Sequence, residues 1–211
     1  MGIIHYLIII LLTPILLLLN FRLLVFNQNF YKMEFAKLGV YENFSSHEVV
    51  DFEARELINF YCCDSQLSPT FYSQREILHL VDVKNLIKLV NLYLYVLIWA
   101  ALTCMVYVIH KKAFKFSAHN LNMAALITIT SIITLWFFSK LNFDSIFVNF
   151  HQLTFSNNYW LLPKEANLIK LFPPQFFLDF ANQVALQTIT MAAIILIISH
   201  LLTKRHASKK H

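Results

Sequence analysis

The sequence predicts a mainly α-helical membrane protein, a four-transmembrane-helix bundle that carries a small mixed α/β extracellular cap. Three observations support this prediction: a mean hydropathy of +0.57, a hydrophobic content of 58% in 211 residues, and four long apolar stretches. A membrane-spanning helix needs about 20 residues to cross a hydrocarbon core of about 30 Å. Because the four stretches are of that order, we expect a polytopic membrane protein.

The spans follow one another along the chain. Ile3–Leu19 lacks the basic start and the small-residue cleavage site of a signal peptide, so it is interpreted as a retained helix with a bend at Pro14. The other three stretches contain no Asp, Glu, Lys or Arg, and they are Leu89–Ile109, Leu121–Ser139 and Phe180–Thr203. An even number of spans places both termini on the same side of the membrane.

Basic residues indicate which side that is, because cytoplasmic loops retain Lys and Arg near the membrane. They cluster between the second and third spans and in the C-terminal tail, at Lys111, Lys112, Lys115, Lys204, Arg205, Lys209 and Lys210. All twelve acidic residues lie in segments 21–88 and 140–179. We therefore predict cytoplasmic termini and an outward-facing polar layer. The net charge of +5 is then mostly an orientation signal, and no nucleic-acid partner is expected.

The predicted organisation is one unit, expected to be a monomer in the membrane. Its segments are transmembrane helix 1 (1–26), the cap with the outer end of helix 2 (27–84), transmembrane helix 2 (85–110), a cytoplasmic loop (111–120), transmembrane helix 3 (121–139), a second cap segment (140–179), transmembrane helix 4 (180–203) and a cytoplasmic tail (204–211).

The two outer segments are too long for bare connections, so they should fold as the cap. Partial alternation of apolar residues predicts strands at Asn29–Phe35 and Ile146–Phe155. A short apolar helix should end at Pro173 and Pro174. An amphipathic helix should begin after Ser45 or Ser46, with Glu48 near the capping-box position and apolar residues at Val49, Phe52, Leu57, Ile58 and Phe60 or Tyr61.

The polar stretch "SQREILHLVDVK", residues 73–84, runs without a helix breaker into the second span. It is therefore predicted to be the outer end of that transmembrane helix, with His79 near the membrane surface. His151 follows the third span, so closure of the bundle would bring the two imidazoles together across one cleft. Asp82 stands three residues after His79 and would fix an imidazole tautomer, or else be a charge on the helix surface.

Each of these residues also has an ordinary structural explanation. An interfacial histidine is more often a hydrogen-bonding side chain than a catalyst. Arg75 and Glu76 are interpreted as solvated in preference to binding substrate charge. The aromatic residues near Trp160 suit either an interfacial belt or a groove for acyl chains.

Composition excludes several mechanisms. With glycine only at positions 2 and 39, the chain has no nucleophile elbow, dinucleotide fingerprint or phosphate-binding loop. A zinc site from His47, His79, His151 and an acid has no supporting ligand spacing, so no metal and no other cofactor is expected. Cys62 and Cys63 are adjacent, and neighbouring cysteines seldom bridge because disulfides usually join Cα atoms about 4.4–6.8 Å apart. They are assigned no role.

Two motifs carry a resemblance to a known family. "SQREILHLVDVK", followed 72 positions after its histidine by "FHQLTFSNNYWLLPKEANLIKLFPPQFFLDFA", resembles the bacterial lipoprotein intramolecular transacylases of the Lit family. The shared four-span arrangement covers nearly the whole chain. The family often has acids near the positions held here by Asn158, Leu162 and Asn167, which are uncharged.

The resemblance implies an acyltransferase that acts on diacylglyceryl-modified lipoproteins in the membrane lipid. It would move the sn-2 acyl chain onto the α-amine of the N-terminal cysteine and so form the lyso-lipoprotein. The implied catalytic residues are His79 and His151, with Asp82, Arg75, Asn157 and Trp160 in supporting positions. Two other classes remain open at this point: a membrane module that binds lipoproteins without changing them, and an interfacial lipid esterase.

Overall fold

The structure is a computed structural model that describes residues 2–63, 65–111 and 114–208. The side chains of residues 2–5, 114–118 and 205–208 are outside that description. The orientation signals assigned to Lys112, Lys209 and Lys210, and to the side chains of Lys115 and Arg205, therefore lie outside the described residues.

Within those ranges the chain is helical. The helices are α1 (Gly2–Val25), α2 (Gln28–Lys37), α3 (His47–Cys62), α4 (Gln74–His110), α5 (Phe114–Leu141), α6 (Phe143–Thr154), α7 (Asn167–Leu171) and α8 (Pro174–Ser208), with a 3-10 turn at Val40–Asn43. Four of them, α1, α4, α5 and α8, are long and apolar enough to cross a membrane. The four predicted spans are therefore confirmed as long apolar helices. Pro14 lies inside α1.

The mixed α/β cap is wrong, because the described residues contain no strand. Asn29–Phe35 lies within α2, which begins where the Asn27 side chain accepts a hydrogen bond from the Phe30 N–H. Ile146–Phe155 overlaps α6, which Asn142 caps in the same way through the Ser145 N–H. Both capping residues lie before the segments whose apolar residues partly alternate. An apolar run also satisfies helical spacing, so alternation alone could not separate the two structures.

The amphipathic helix of the cap is confirmed as α3. Ser46 is its N-cap and accepts a hydrogen bond from the Val49 N–H. The buried face is displaced from the predicted one, since Val50 and Ala54 are in the core whereas Phe52 is exposed. Leu57, Phe60 and Tyr61 are buried as expected.

Helix boundaries differ from prediction at two connections. Helix α5 begins at Phe114, so the connection to α4 is shorter than the predicted loop 111–120. Helix α8 begins at Pro174, six residues before the predicted span, because proline is well tolerated at the first position of a helix. The short helix α7 ends at Leu171, just before Pro173 and Pro174, as predicted.

The chain forms two compact units. Unit 1 comprises Met1–Arg22, Val90–Phe138 and Asn182–His211, and unit 2 comprises Leu23–Leu89 and Ser139–Ala181. Inside unit 1, neutral polar side chains join the long helices. Thr13 pairs with Thr128 at 2.9 Å between the hydroxyl oxygens, and the Asn20 amide donates to the Thr188 hydroxyl at 3.3 Å.

The core of unit 2 is aromatic. Phe30, Tyr31, Phe35, Phe172 and Phe176 are all buried, and the ring centroids of Tyr31 and Phe176 lie 5.5 Å apart. Tyr31 also donates its hydroxyl to the carbonyl oxygen of Val25 at 2.9 Å. Such ring pairs each contribute about 0.5–1.5 kcal/mol beyond the burial of their surface. This cluster joins α2 to the segment at α7 and the start of α8.

The expectation that Cys62 and Cys63 are unbridged is wrong, because the structure joins them in a disulfide. Their Cα atoms are 3.8 Å apart, which is the distance that a trans peptide sets for any two neighbours. The usual Cα range describes cysteines that are distant in the chain, and it does not apply here. Cys104 is a buried free thiol in α4.

Candidate active site

The N-terminal end of α4 is built by a reciprocal cap. The Ser73 N–H donates to Oε2 of Glu76 at 2.7 Å, and the Glu76 N–H donates to the Ser73 hydroxyl at 3.4 Å. This S-x-x-E capping box starts the helix one turn before His79. His79 is buried, and its Nδ1 is enclosed without a hydrogen-bond partner.

His151 is the buried residue of α6. Its Nδ1 lies 2.7 Å from the carbonyl oxygen of Phe147, one turn earlier in the same helix. A carbonyl only accepts, so Nδ1 carries the proton and Nε2 keeps a lone pair. Burial lowers the pKa of the His151 imidazole, and the Phe147 carbonyl opposes that effect only in part. The ring is therefore neutral at pH 7.

The two imidazoles lie next to each other although 72 residues separate them. Their ring centroids are 5.9 Å apart and the ring planes meet at 35°. Both belong to unit 2, so this pair is formed inside one compact part of the chain. The geometry required for a shared site is present, whereas the catalytic role of each histidine remains a prediction.

Aromatic rings enclose the pair. The Trp160 ring centroid lies 5.0 Å from that of His151, and the Phe155 ring lies 5.7 Å from His151 and 5.3 Å from His79. Phe147 is closer still, at 4.4 Å from His151. The rings keep water away from the imidazoles and leave them an apolar surround of the kind that acyl chains favour.

Asp82 is hydrogen-bonded to the loop after α6. Its Oδ2 accepts a hydrogen bond from the Asn157 side-chain amide at 2.9 Å, and Oδ1 of Asn157 accepts from the Tyr159 N–H at 3.0 Å. Asp82 was expected to hydrogen-bond an imidazole, but its Oδ2 accepts from Asn157 and not from a histidine. Asp82 and Asn157 instead tie α4 to the turn that carries Trp160.

Arg75 and Glu76 differ from each other in their surroundings. The Arg75 guanidinium is exposed and donates to the backbone carbonyl of Asn158, on the same turn. Glu76 is buried, and its Oε1 accepts the Leu168 N–H at 2.7 Å near the start of α7. The interpretation of Glu76 as solvated is wrong. The capping-box spacing of Ser73 and Glu76 was the signal that could have found it.

A cleft of about 380 Å³ adjoins the aromatic wall. Trp160 and Phe155 belong both to the wall of this cleft and to the surround of His151. Its other lining residues are amides, a hydroxyl and aliphatic side chains: Gln152, Asn157, Asn158, Ser156, Val148 and Leu161.

His47, at the start of α3, stacks on the Tyr41 ring with centroids 4.2 Å apart. Among the side chains that the structure describes, no three His, Cys, Asp or Glu residues come together as a metal site. His79 and His151 therefore stand as a pair of imidazoles that share one aromatic enclosure.

Comparisons with known proteins bear on this site. The family model described as "Lipoprotein intramolecular transacylase Lit" matches residues 6–177. No curated protein matches the chain. A solved structure of the membrane-integral lipoprotein intramolecular transacylase Lit from Bacillus cereus is similar, with a TM-score of 0.86 at 24% identity, and the match covers 97% of this chain and 96% of that one.

Two variants of that Bacillus cereus protein, in which one histidine is replaced by arginine or by alanine, are also similar. Their TM-scores are 0.83 and 0.82 at 24% identity. The matches cover 98% and 97% of this chain, and 93% and 94% of the respective variant chains. Likeness at this level of identity shows a common helical fold.

Proposed function

The chain belongs to the Lit family of lipoprotein intramolecular transacylases, and from this premise we propose that it moves the sn-2 acyl chain of a diacylglyceryl lipoprotein onto the α-amine of the lipoprotein's N-terminal cysteine. The protein is a bacterial membrane acyltransferase. The finer proposal, that two histidines carry the proton transfers and give the lyso-form product, is supported above all by the 5.9 Å separation of the His79 and His151 rings.

The chemistry asks little of the protein in bringing the reactants together. Ester and amine belong to the same substrate molecule, and tethering already gives a high effective concentration. Proton handling is the remaining task. The α-amine, with a reference pKa of about 7.7–8.0, must attack as the free base, and the glyceryl oxygen leaves poorly unless it is protonated.

His151 is the proposed general base. Its Nδ1–H is engaged by the Phe147 carbonyl, which leaves the Nε2 lone pair to take a proton. The lowered pKa of this imidazole keeps the ring in the neutral, proton-accepting form at pH 7. An aromatic surround fixes the ring plane, so little reorientation is needed when the substrate binds.

His79 is the proposed donor to the oxyanion or to the departing glyceryl oxygen. Its enclosed Nδ1 has no hydrogen-bond partner within the protein, and substrate binding would have to open this enclosure for an N–H there to donate. Asp82, Asn157, Arg75 and Trp160 are proposed to act by position. They hold the turn after α6 against the outer end of α4, and through it the wall beside His151.

The proposed step balances without a covalent intermediate. The amine nitrogen bonds to the ester carbonyl carbon, and its proton passes to Nε2 of His151. The bond from that carbon to the glyceryl oxygen then breaks, and the oxygen takes up a proton either directly from His151 or from His79, to which His151 passes its proton in turn. A covalent route through Ser73, Ser156 or Cys62 is the alternative, although Cys62 is in a disulfide in this structure. An acylated protein detected by mass spectrometry would favour it.

We further propose that the site faces the extracellular side, that both termini are cytoplasmic and that the protein acts as a monomer. The basic loop and tail support this orientation. A site at the outer end of α4 would meet the ester and amine at the interface while the acyl chains stay in lipid. Charged groups cost less there than at the membrane centre.

One assay separates the three classes of function. Purified protein is incubated with a diacylglyceryl lipopeptide, and tandem mass spectrometry locates the acyl chains. Transfer to the N-terminus is expected from the native protein. Unchanged lipopeptide would instead identify a binding module, and free fatty acid would identify an esterase.

The same assay tests the histidines. His79→Ala and His151→Ala should each remain folded and should each lower N-acyl product formation roughly 10²–10⁴-fold, the usual contribution of acid–base catalysis. His47→Ala is the matched control and should retain activity. Normal product from both site variants would reject histidine catalysis while leaving the acyltransferase assignment in place.

A further inference from the structure

Helix α6 presents three different faces. At 3.6 residues per turn, Ile146, Phe150 and Leu153 fall on one face, and the site residues Phe147 and His151 fall on a second. A third face carries the polar residues Ser145, Asn149 and Gln152.

The first of these faces is exposed. Leu153 is 89% exposed, Phe150 48% and Ile146 43%. Solvated proteins rarely leave an ordered row of large apolar side chains on a helix unless something covers it. His151, on the neighbouring face, is only 9% exposed.

We propose that α6 lies along the membrane surface with the face formed by Ile146, Phe150 and Leu153 immersed in the boundary between headgroups and acyl chains. The lipid bilayer is thus the partner of this face, and it holds His151 at a fixed depth. This contact goes beyond the proposed acyl transfer and does not depend on it. Only the idea that this depth places His151 beside the substrate ester rests on the proposed function.

Continuity with a membrane span argues for lipid as the occupant. The third apolar span ends at Leu141, and α6 begins two residues later at Phe143. The last turns of that span are themselves exposed and apolar, as Phe137, Phe138 and Leu141 show. A single residue, Asn142, therefore separates the first turn of α6 from the end of that apolar span.

Length excludes a further crossing. Twelve residues of helix extend about 18 Å, against about 30 Å of hydrocarbon. A helix of this length with one apolar and one polar face can place the first in lipid and the second in water only when it lies parallel to the membrane surface. The polar row then faces water and the second face carries His151 towards the protein.

The charged residues of α6 predict how its membrane contact should depend on lipid charge. Helix α6 contains Asp144 and no Lys or Arg, so it lacks the basic side chains that draw interfacial helices to anionic lipid. Its immersion should therefore be the same in zwitterionic and in anionic membranes. The neighbouring span already supplies the proximity that basic residues supply elsewhere.

Spin-label accessibility in the intact protein tests this contact. Single nitroxides are placed by Leu153→Cys and Phe150→Cys, with Gln152→Cys and Asn149→Cys as matched controls one residue away. The background is Cys104→Ala, and a sample without an introduced cysteine shows whether Cys62 and Cys63, joined in a disulfide, take up any label. The full chain is reconstituted in phosphatidylcholine vesicles, with and without phosphatidylglycerol.

Molecular oxygen concentrates in lipid, whereas a neutral nickel chelate stays in water. The ratio of oxygen to nickel accessibility is expected to be roughly threefold or more higher at Leu153 and Phe150 than at Gln152 and Asn149, with no effect of anionic lipid. Equal ratios at the four positions would overturn the proposal. Low accessibility to both reagents at Leu153 together with dipolar broadening would also overturn it, since a second copy of the chain would then cover the face.

The measurement is independent of catalysis. Labelled proteins are first checked for a single elution peak and native-like thermal unfolding, and a keto amino acid at position 153 provides a label if a cysteine variant fails this check. Failure of the acyl-transfer assay with the expected accessibility pattern would reject the proposed function alone. Successful acyl transfer together with equal accessibility ratios at the four positions would reject the membrane contact alone.

Discussion

The two units bury different kinds of polar side chain. Among the side chains that the structure describes, the buried polar residues of unit 1 are neutral: Asn20, Asn120, Thr128, Thr188 and Ser199. Those of unit 2 are ionisable: Glu34, Glu53, Glu76, His79, Lys84 and His151. An ionisable group inside a membrane is expensive, and small neutral groups join helices at less cost.

The difference shows which part of this protein stabilises buried ionisable side chains. Hydroxyl and amide groups of unit 1 bond to each other or to a carbonyl one turn away, as the Asn20 amide does with Leu16 at 2.8 Å. In unit 2 a carboxylate or an imidazole meets backbone groups and aromatic rings, as Glu76 and His151 do. Among the described side chains, the buried polar residues that are ionisable therefore all belong to unit 2.

The largest expected effect on stability comes from Glu76. Its carboxylate accepts two backbone N–H groups, from Ser73 and Leu168. Hydrogen bonds to a charged group contribute about 1.5–3 kcal/mol each, so Glu76→Ala should lower the free energy of unfolding by about 3 kcal/mol or more. The matched change in unit 1, Asn20→Ala, should cost about 0.6 kcal/mol and at most about 1.7 kcal/mol.

Unfolding by sodium dodecyl sulfate, followed by Trp fluorescence, measures both variants. Equal losses for Glu76→Ala and Asn20→Ala would break the distinction between the units. A small loss for Glu76→Ala alone would mean that its two hydrogen bonds are replaced by water.

The link between α4 and the turn after α6 should matter next. Asn157→Ala removes the hydrogen bonds to Asp82 and to the Tyr159 N–H, and we expect acyl transfer to fall roughly tenfold, or about 1.4 kcal/mol. Asp82→Asn keeps a neutral acceptor for Asn157, so it should cost only about twofold.

Rates from the lipopeptide assay, with the thermal unfolding temperature as the control for folding, distinguish two roles for Asp82. If its charge acts directly on an imidazole, Asp82→Asn will be as damaging as Asn157→Ala. A role confined to position predicts the milder effect.

Stability should depend on pH through His151. Burial holds the pKa of this imidazole below its ordinary value, so the unfolded chain binds a proton more tightly than the folded one. The free energy of unfolding should therefore fall as pH drops below about 6.5, by at most about 1.4 kcal/mol per pH unit for this one group.

His151→Phe removes the titrating group and keeps an aromatic ring in the enclosure. The loss of stability between pH 6.5 and pH 5.5, measured by denaturant titration, should be smaller in this variant than in the native protein. An identical pH dependence in the two proteins would show that burial does not lower the pKa of His151 in the folded protein.

The smallest effect is expected at the surface of unit 2. Lys32 and Asp51 form an ion pair at 2.8 Å, with side chains 46% and 30% exposed. Exposed pairs contribute little, so Lys32→Gln should change the free energy of unfolding by less than about 1 kcal/mol and should leave acyl transfer unchanged. A larger loss, measured in the same titration, would show that ionisable groups of unit 2 matter even where water reaches them.

The sequence by itself determined the membrane helices and several helix starts. Apolar length is a local sum over about 20 residues, so α1, α4, α5 and α8 were evident from composition. Ser46 begins α3 for an equally local reason, because its side chain meets the Val49 N–H three residues on. The motifs around His79 and His151 identified the family, since they too are read along the chain.

Only the tertiary structure decided the segments between the long apolar helices. Whether Ile146–Phe155 is a strand or the helix α6 depends on which partners its apolar side chains find, and a short run satisfies either spacing. The burial of Glu76 depends on Leu168, which is 92 residues away. The meeting of His79 and His151 likewise depends on packing between distant segments, and no local pattern of residues carries that information.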